Sequence, residues 1–173
     1  MANLYYDEID SPIGPLTIIS SGEKVIRIDF GSINQIEERV RLWAGRYFEE
    51  PAFIKNIDLI SDAARELEDY FNSKQRDFTI DMEFFGTEFQ RKVWHALIKI
   101  PLGETKSYKD IAIDIGNPRA IRAVGGAVNR NPFSIVVPCH RIIGTNGKLV
   151  GYNGGLDKKE YLLQHEKRFI ETF

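Results

Sequence analysis

A chain of 173 residues, 43% hydrophobic and 28% charged, has the composition of an ordinary soluble globular protein and the length of one large domain or two small ones. Its single cysteine rules out an internal disulfide and a cysteine-based metal cluster, and three scattered histidines (His95, His140, His165) argue against a histidine-only metal site. The net charge of −2 hides a division. Residues 1–90 carry 9 Lys/Arg against 18 Asp/Glu, whereas residues 91–173 carry 14 against 7. No acid lies between Ile115 and Leu156, a span that holds Arg119, Arg122, Arg130, Arg141 and Lys148. A basic half of this kind is an electrostatic footprint for a polyanion. The first residues have neither a basic region nor an apolar run, and no stretch approaches the roughly 18 apolar residues of a membrane span. The expectation is an intracellular, cytoplasmic monomer with no membrane partner and no metal or other cofactor.

In chain order, Leu4–Tyr6, Leu16–Ile19 and Val25–Phe30 read as strands separated by the turn clusters Ser11–Pro15 and Ser21–Lys24. They predict a three-stranded antiparallel sheet. Ile36, Val40 and Trp43 place a helix over Asn34–Phe48, and Ala64, Leu67 and Phe71 place another over Ser61–Phe71. Ser73–Asp81 reads as a linker with a short strand, giving an acidic N-terminal support domain, 1–80, and a basic C-terminal domain, 81–173.

The second half is more helical. Thr87 is suited to cap a helix with the stripe Val93, Trp94, Leu97, Ile98. Ser107 and Asp110 have the spacing of a capping box at the start of a helix that stops at Gly116. Asn117 then reads as an N-cap and Pro118 as the first position of a helix running from Arg119 to about Val128. Two short helices across a tight turn form a helix-turn-helix pattern, with Arg119 and Arg122 where a recognition helix meets DNA. Ala120, Ala123, Gly125, Gly126 and Ala127 give that helix a face small enough for close backbone approach. A strand is expected to end at Cys139, Gly144–Gly147 to turn, Gly151–Gly155 to form a loop, and Leu156 to about Phe169 to form the last helix. The fold class is α+β: a small N-terminal sheet with helices, then a mostly helical domain with a winged helix-turn-helix-like unit.

The chemistry centres on Val137-Pro138-Cys139-His140-Arg141-Ile142. A thiol is a nucleophile only as thiolate, so its ordinary pKa of about 8.5 must be offset by positive charge, a helix N-terminus or a base. His140 and Arg141 are candidates, although neighbours on an extended segment point to opposite faces. An inert core cysteine would look the same in this hexapeptide alone.

The wider pattern resembles a known family. Arg122-Ala123-Val124-Gly125-Gly126-Ala127, Asn131-Pro132, Pro138-Cys139-His140-Arg141, Gly154-Gly155-Leu156, Lys159-Glu160, Leu162-Leu163 and His165-Glu166 follow one another as in the O6-alkylguanine-DNA alkyltransferases, the methylated-DNA–protein-cysteine methyltransferases. Phe89-Gln90, Val93-Trp94 and Ser107-Tyr108 match as well. The likeness is dense from about residue 85 to 167, and the N-terminal part matches mainly in layout.

The resemblance implies direct-reversal repair: irreversible transfer of an alkyl group from O6 of guanine in double-stranded DNA to Cys139, once per molecule, with O4-alkylthymine a second candidate substrate. It implies His140 as a base acting through water, Glu166 as its orienter, Tyr108 as proton donor to guanine N3, and Asn131 as the tie between the helix-turn-helix and the active-site segment. Arg122 matches the arginine that fills the stack vacated by a flipped base from the minor groove. Arg119, Ala123, Gly125, Ser107 and Arg130 fall in the implied DNA surface. Pro138, Ile142, Tyr152, Asn153 and Gly154 fall in the substrate pocket. Asn153 departs from the family, some members of which carry Ser there to bind guanine O6. A non-catalytic binder of alkylated DNA is the competing class, and a thiol hydrolase using Cys139 and His140 is a third.

Overall fold

In the first half, β-branched and aromatic residues supply three extended runs: β1 (Ala2–Ile9), β2 (Leu16–Ser20) and β3 (Val25–Phe30). The computed structural model, which describes residues 1–172, pairs β1 with β2 and β2 with β3 antiparallel. A fourth strand, β4 (Pro51–Lys55), adds to β1 in parallel, so the sheet is four-stranded and mixed, in the order β3-β2-β1-β4. The three-stranded antiparallel expectation missed β4 because this short edge strand opens on a proline. Such a strand tolerates the missing N–H at its first residue but shows little strand signal. Helix α1 (Ile33–Ala44) buries Ile36, Val40 and Ala44 in one cluster with Leu4, Ile19 and Ile26 from the sheet. It stops short of Phe48 because Arg46, Tyr47 and Phe48 turn back and donate their N–H groups to Trp43 and Ala44. Helix α2 (Ser61–Phe71) has the expected bounds.

Contacts divide the chain into two compact units, Met1–Phe85 and a second from Gly86 onward. The first extends past residue 80 because residues 81–83 run beside β3. Val25 N donates to Asp81 O at 2.9 Å, and Glu83 N donates to Val25 O at 3.0 Å. The short strand expected within Ser73–Asp81 is absent, and a single bridge at Met82 lies just past that stretch.

The second unit begins with α3 (Glu88–Ile98), capped reciprocally by Thr87 and Gln90 at 3.1 and 2.9 Å. Strand β5 (Lys106–Ser107) leads into α4 (Tyr108–Asp114), where Ser107 and Asp110 form the expected capping box. Helix α5 (Ile121–Asn129) starts later than the Asn117-Pro118 signal suggested. Gly116, at φ 79°, turns the chain so that Asn117 N bonds back to Ala112 O, closing α4. Residues 117–120 are then spent on a turn, with Ala120 N donating to Asn117 O at 3.0 Å. Arg119 therefore precedes the helix, and Arg122 sits in its first turn. Trp94 of α3 ties to α5 through Nε1, which donates to Ala127 O at 2.9 Å.

No strand leads to Cys139. Pro132 and Pro138 lack donors, and the Asn131 side chain takes the carbonyl of Val137. The segment instead runs through an irregular stretch, with Ile135 at φ 72°, into a single 3-10 turn, Cys139–Arg141. Strand β6 (Ile142–Ile143) then pairs in parallel with β5, and α6 spans Leu156–Glu171. No helix of the described residues is long and apolar enough to cross a membrane.

The turn between α3 and β5 depends on Gly103, at φ 87°, where an added Cβ would lie 1.8 Å from Ile170 Cδ1. The left-handed backbone is the larger obstacle, since the end of Ile170 is free to swing away. Gly103→Ala should lower stability by more than about 1 kcal/mol in chemical denaturation. Ile170→Ala in the same chain should not restore it.

Candidate active site

The only thiol of the chain sits at the first position of the 3-10 turn and is 6% exposed. Pro138 fixes the approach, and Cys139 N bonds back to Val137 O at 2.8 Å. Asn131, two residues past the end of α5, donates from Nδ2 to Val137 O at 2.8 Å and to Cys139 Sγ at 3.2 Å, while its Oδ1 accepts from Phe133 N at 2.9 Å. One buried amide thus joins the end of the helix-turn-helix to the sulfur.

The next two residues meet α6. His140 Nε2 lies 2.6 Å from Glu166 Oε2, with both side chains fully buried. Arg141 grips the same carboxylate with two donors, Nε to Oε1 at 2.8 Å and Nη2 to Oε2 at 3.0 Å, and sends Nη1 to Ile100 O at 2.6 Å. Burial on its own would raise the Glu166 carboxyl, but the His140 contact and the Arg141 guanidinium outweigh it and hold the group well below the usual carboxylate range. Burial pushes His140 below its ordinary 6.5, which Glu166 only partly offsets, so the imidazole is neutral. A neutral ring facing a carboxylate through Nε2 carries its proton there. Nδ1, buried and without a hydrogen bond to the protein, is left as the basic nitrogen.

Two other groups surround the sulfur. Lys159, fully buried on α6, donates from Nζ to Ile142 O and, at 2.8 Å, to Val150 O. Tyr152, its hydroxyl buried, lies near enough to the thiol to influence its protonation. Burial is the strongest influence on Cys139 and raises its thiol above the ordinary value; Asn131, Lys159, its own backbone and Tyr152 pull the other way without prevailing. The resting site therefore holds a thiol rather than a thiolate. Tyr108, the first residue of α4, is raised by burial and then by the charge of Cys139.

Most of the remaining candidates fall around this cluster. Pro138 and Ile142 are buried beside it, and Gly154 is half-buried in the loop after Tyr152. Asn153 Nδ2 is bonded to Asn129 O at 2.6 Å. On α5, Arg122 and Ala123 are exposed, Gly125 is half-buried beside the Tyr108 ring, and Arg130 is exposed at the end. Arg119 is exposed in the preceding turn. Ser107 differs from these in being buried, its hydroxyl spent on the cap of α4. Two side chains were quoted in the sequence reading without the places the structure gives them, Lys159 beside the thiol and Arg141 on the Glu166 carboxylate. Lys159 was legible: it shares the buried stripe of α6 with Leu162, Glu166 and Phe169, at spacings of three, seven and ten, where a charge signals a special role. Nothing in the sequence pairs Arg141 with Glu166, 25 residues away.

Removing one partner of this buried cluster leaves the other charge uncompensated. Arg141→Leu should cost about 3–5 kcal/mol in urea unfolding. Acid should act in two stages. His140, with its folded pKa below 6.5, contributes stability above that value that is lost as pH falls beneath it. Glu166, depressed from 4.5, contributes stability above that value that is lost on further acidification. His140→Phe should flatten the first stage of a stability–pH curve and shrink the second, because His140 also helps hold Glu166 low while Arg141 remains.

Comparison with known proteins gives the family. Residues 4–84 match the family model described as 6-O-methylguanine DNA methyltransferase, ribonuclease-like domain, and residues 88–168 match 6-O-methylguanine DNA methyltransferase, DNA binding domain. A methylated-DNA–protein-cysteine methyltransferase of Methanosarcina barkeri is 47% identical over 165 residues, covering 95% of this chain and 98% of its own. The inducible enzyme of that name from Bacillus subtilis is 47% identical over 138 residues, covering 80% and 77%. The crystal structure of the Mycobacterium tuberculosis O6-methylguanine methyltransferase superposes with a TM-score of 0.82 at 41% identity, covering 95% of this chain and 93% of that one. The same organism's protein in complex with DNA gives 0.77 at 38% identity, covering 96% and 94%. The chain belongs to the 6-O-methylguanine DNA methyltransferase family.

Proposed function

We propose that Cys139 is the sulfur that receives the alkyl group in the direct-reversal DNA repair this chain carries out as a methylated-DNA–protein-cysteine methyltransferase. The observation that carries this reading is a buried thiol bonded by Asn131 and followed directly in the chain by a buried His140–Glu166 pair. The sulfur attacks the O6-bound carbon of guanine. The S–C bond forms as the C–O6 bond breaks, and the electron pair leaves on O6. His140 Nδ1 takes the thiol proton through a water, and Glu166 holds the ring and stabilises the imidazolium. Tyr108 supplies a proton to N3 of the departing guanine, so the base leaves neutral, and the proton taken from the thiol by His140 is the one that finally restores Tyr108, by way of water. The thiol's resting protonation fits this order, because removing its proton is then part of the reaction. The thioether has no route back, and each molecule acts once.

The reading extends to DNA. O6 is out of reach inside a duplex, so the base is flipped. Arg122, exposed in the first turn of α5, would fill the gap from the minor groove, with Ala123 permitting close approach and Arg119 and Arg130 facing phosphates. The acidic first unit acts as a support. An unpaired thiol that must stay reduced suits the cytoplasm.

Intact mass after mixing with excess duplex containing O6-methylguanine should rise by one methyl group, located on Cys139, with no second lesion repaired. Continued turnover would contradict the reading. Arg122→Ala should slow repair in duplex DNA about ten-fold or more, while reaction with free O6-methylguanine base changes little, since only the duplex requires unstacking. Equal losses on the two substrates would remove Arg122 from the flipping role.

A further inference from the structure

Between Asn131 and Cys139 the chain closes a ring of hydrogen bonds. Phe133 N donates to Asn131 Oδ1 at 2.9 Å, Val137 N donates to Phe133 O at 3.1 Å, and Asn131 Nδ2 donates to Val137 O at 2.8 Å. Ile135 is the midpoint of the excursion from Phe133 to Val137. To return in so few residues the backbone takes φ 72° there, and Val136 N donates to Ser134 O at 2.8 Å. That bond across one residue of positive φ makes a γ-turn of the rare, strained hand. At Pro138 the same kind of bond, from Cys139 N to Val137 O, closes a turn of the ordinary hand, with φ −81° and ψ 64°. Positive φ is natural to glycine and most costly for a β-branched residue. The Ile135 side chain is only 1% exposed, so leaving this conformation would unpack a buried group.

We infer that Ile135 is a positioning residue for alkyl transfer: its left-handed turn brings the Val137 carbonyl to Asn131 and thereby keeps the Asn131 amide on the Cys139 sulfur. One Nδ2 group serves both acceptors, 2.8 Å from Val137 O and 3.2 Å from Sγ. With Ile135 in an ordinary extended conformation, the bond from Val137 N to Phe133 O opens and the Val137 carbonyl leaves the amide. The amide is then free to swing away from the sulfur. A donor on the sulfur favours thiolate over thiol, so its loss slows a reaction that consumes the thiolate. The alternative is that Ile135 only fills space in the core, and the rate would then follow the size of its side chain. The inference rests on Cys139 being the acceptor.

The test compares Ile135→Gly with Ile135→Ala in single-turnover reaction with free O6-methylguanine base, which keeps duplex docking out of the comparison. Both variants remove the buried side chain, but only glycine takes a positive φ without strain. Ile135→Gly should therefore react faster than Ile135→Ala by roughly three- to ten-fold, part of what the strained backbone costs a residue with a Cβ. The apparent thiol pKa, read from the pH dependence of alkylation by iodoacetamide, should rise in Ile135→Ala and return toward the wild-type value in Ile135→Gly. If the small variants do not fold, Ile135→Asn and Ile135→Thr, close to each other in size, repeat the comparison. Asparagine accepts the left-handed region and threonine does not, so Ile135→Asn should be the faster. Rates that follow side-chain size, with Ile135→Ala at least as fast as Ile135→Gly, overturn the inference, as does a thiol pKa common to the wild type and both variants. Mass analysis of the wild-type product separates the two readings: methyl on Cys139 with rates that follow size sinks the role of Ile135 alone, whereas methyl elsewhere sinks the acceptor assignment.

Discussion

One buried carboxylate organises the chemistry of this protein. Glu166 receives the imidazole of His140 and two donors of Arg141, so consecutive residues of a 3-10 turn are locked to a single point on α6. That lock decides where Cys139, the residue just before them, can be. An isolated charge in this position would be costly, and only its multiple charge-assisted hydrogen bonds make it tolerable. Arg141 thus has a structural task at the carboxylate that His140 shares. Its permanent charge keeps the carboxylate ionised, and the ionised carboxylate fixes the imidazole tautomer.

The same cluster explains why the thiol is quiet until it is needed. Desolvation opposes thiolate formation, and the donors around the sulfur reduce that opposition without cancelling it. A permanently ionised cysteine would be open to adventitious oxidants and alkylators, whereas a buried thiol is shielded from them. Ile135 adds a constraint on the approach to the site. It is a buried β-branched residue in the left-handed region, a conformation that costs on the order of 1–3 kcal/mol and persists only where surrounding packing enforces it. The forced bend lies between Asn131 and Cys139, the two ends of the amide–sulfur contact.

Local signals were readable where local physics decides. The caps at Thr87 and Ser107, the bounds of α2 and the antiparallel strands follow from side-chain periodicity and capping chemistry. The reading failed where a distant group overrode the local one. Asn117-Pro118 looks like a helix start, but Asn117 N is already committed to closing α4. Val136-Val137 looks like a strand, but Asn131 takes its carbonyl. The strand β4 opens on a proline and shows little local strand signal, and its partner β1 lies some fifty residues earlier. At the site, Cys139, His140, Asn131 and Glu166 were named from the resemblance, and the structure brings them together. Their electrostatic setting was not legible, because it depends on burial and on the Arg141 and Lys159 contacts made across the fold.

The central claim is that His140 is a neutral base whose proton sits on Nε2 and whose Nδ1 lone pair is available. Nitrogen NMR of the histidine side chains tests it directly, since the two ring nitrogens report protonation separately. The account predicts that at pH 7 His140 shows a protonated Nε2 and a bare Nδ1, and that this pattern persists below pH 6.5 in the folded protein. Protonation of both nitrogens at neutral pH would contradict it, because an imidazolium cannot accept the proton of Cys139.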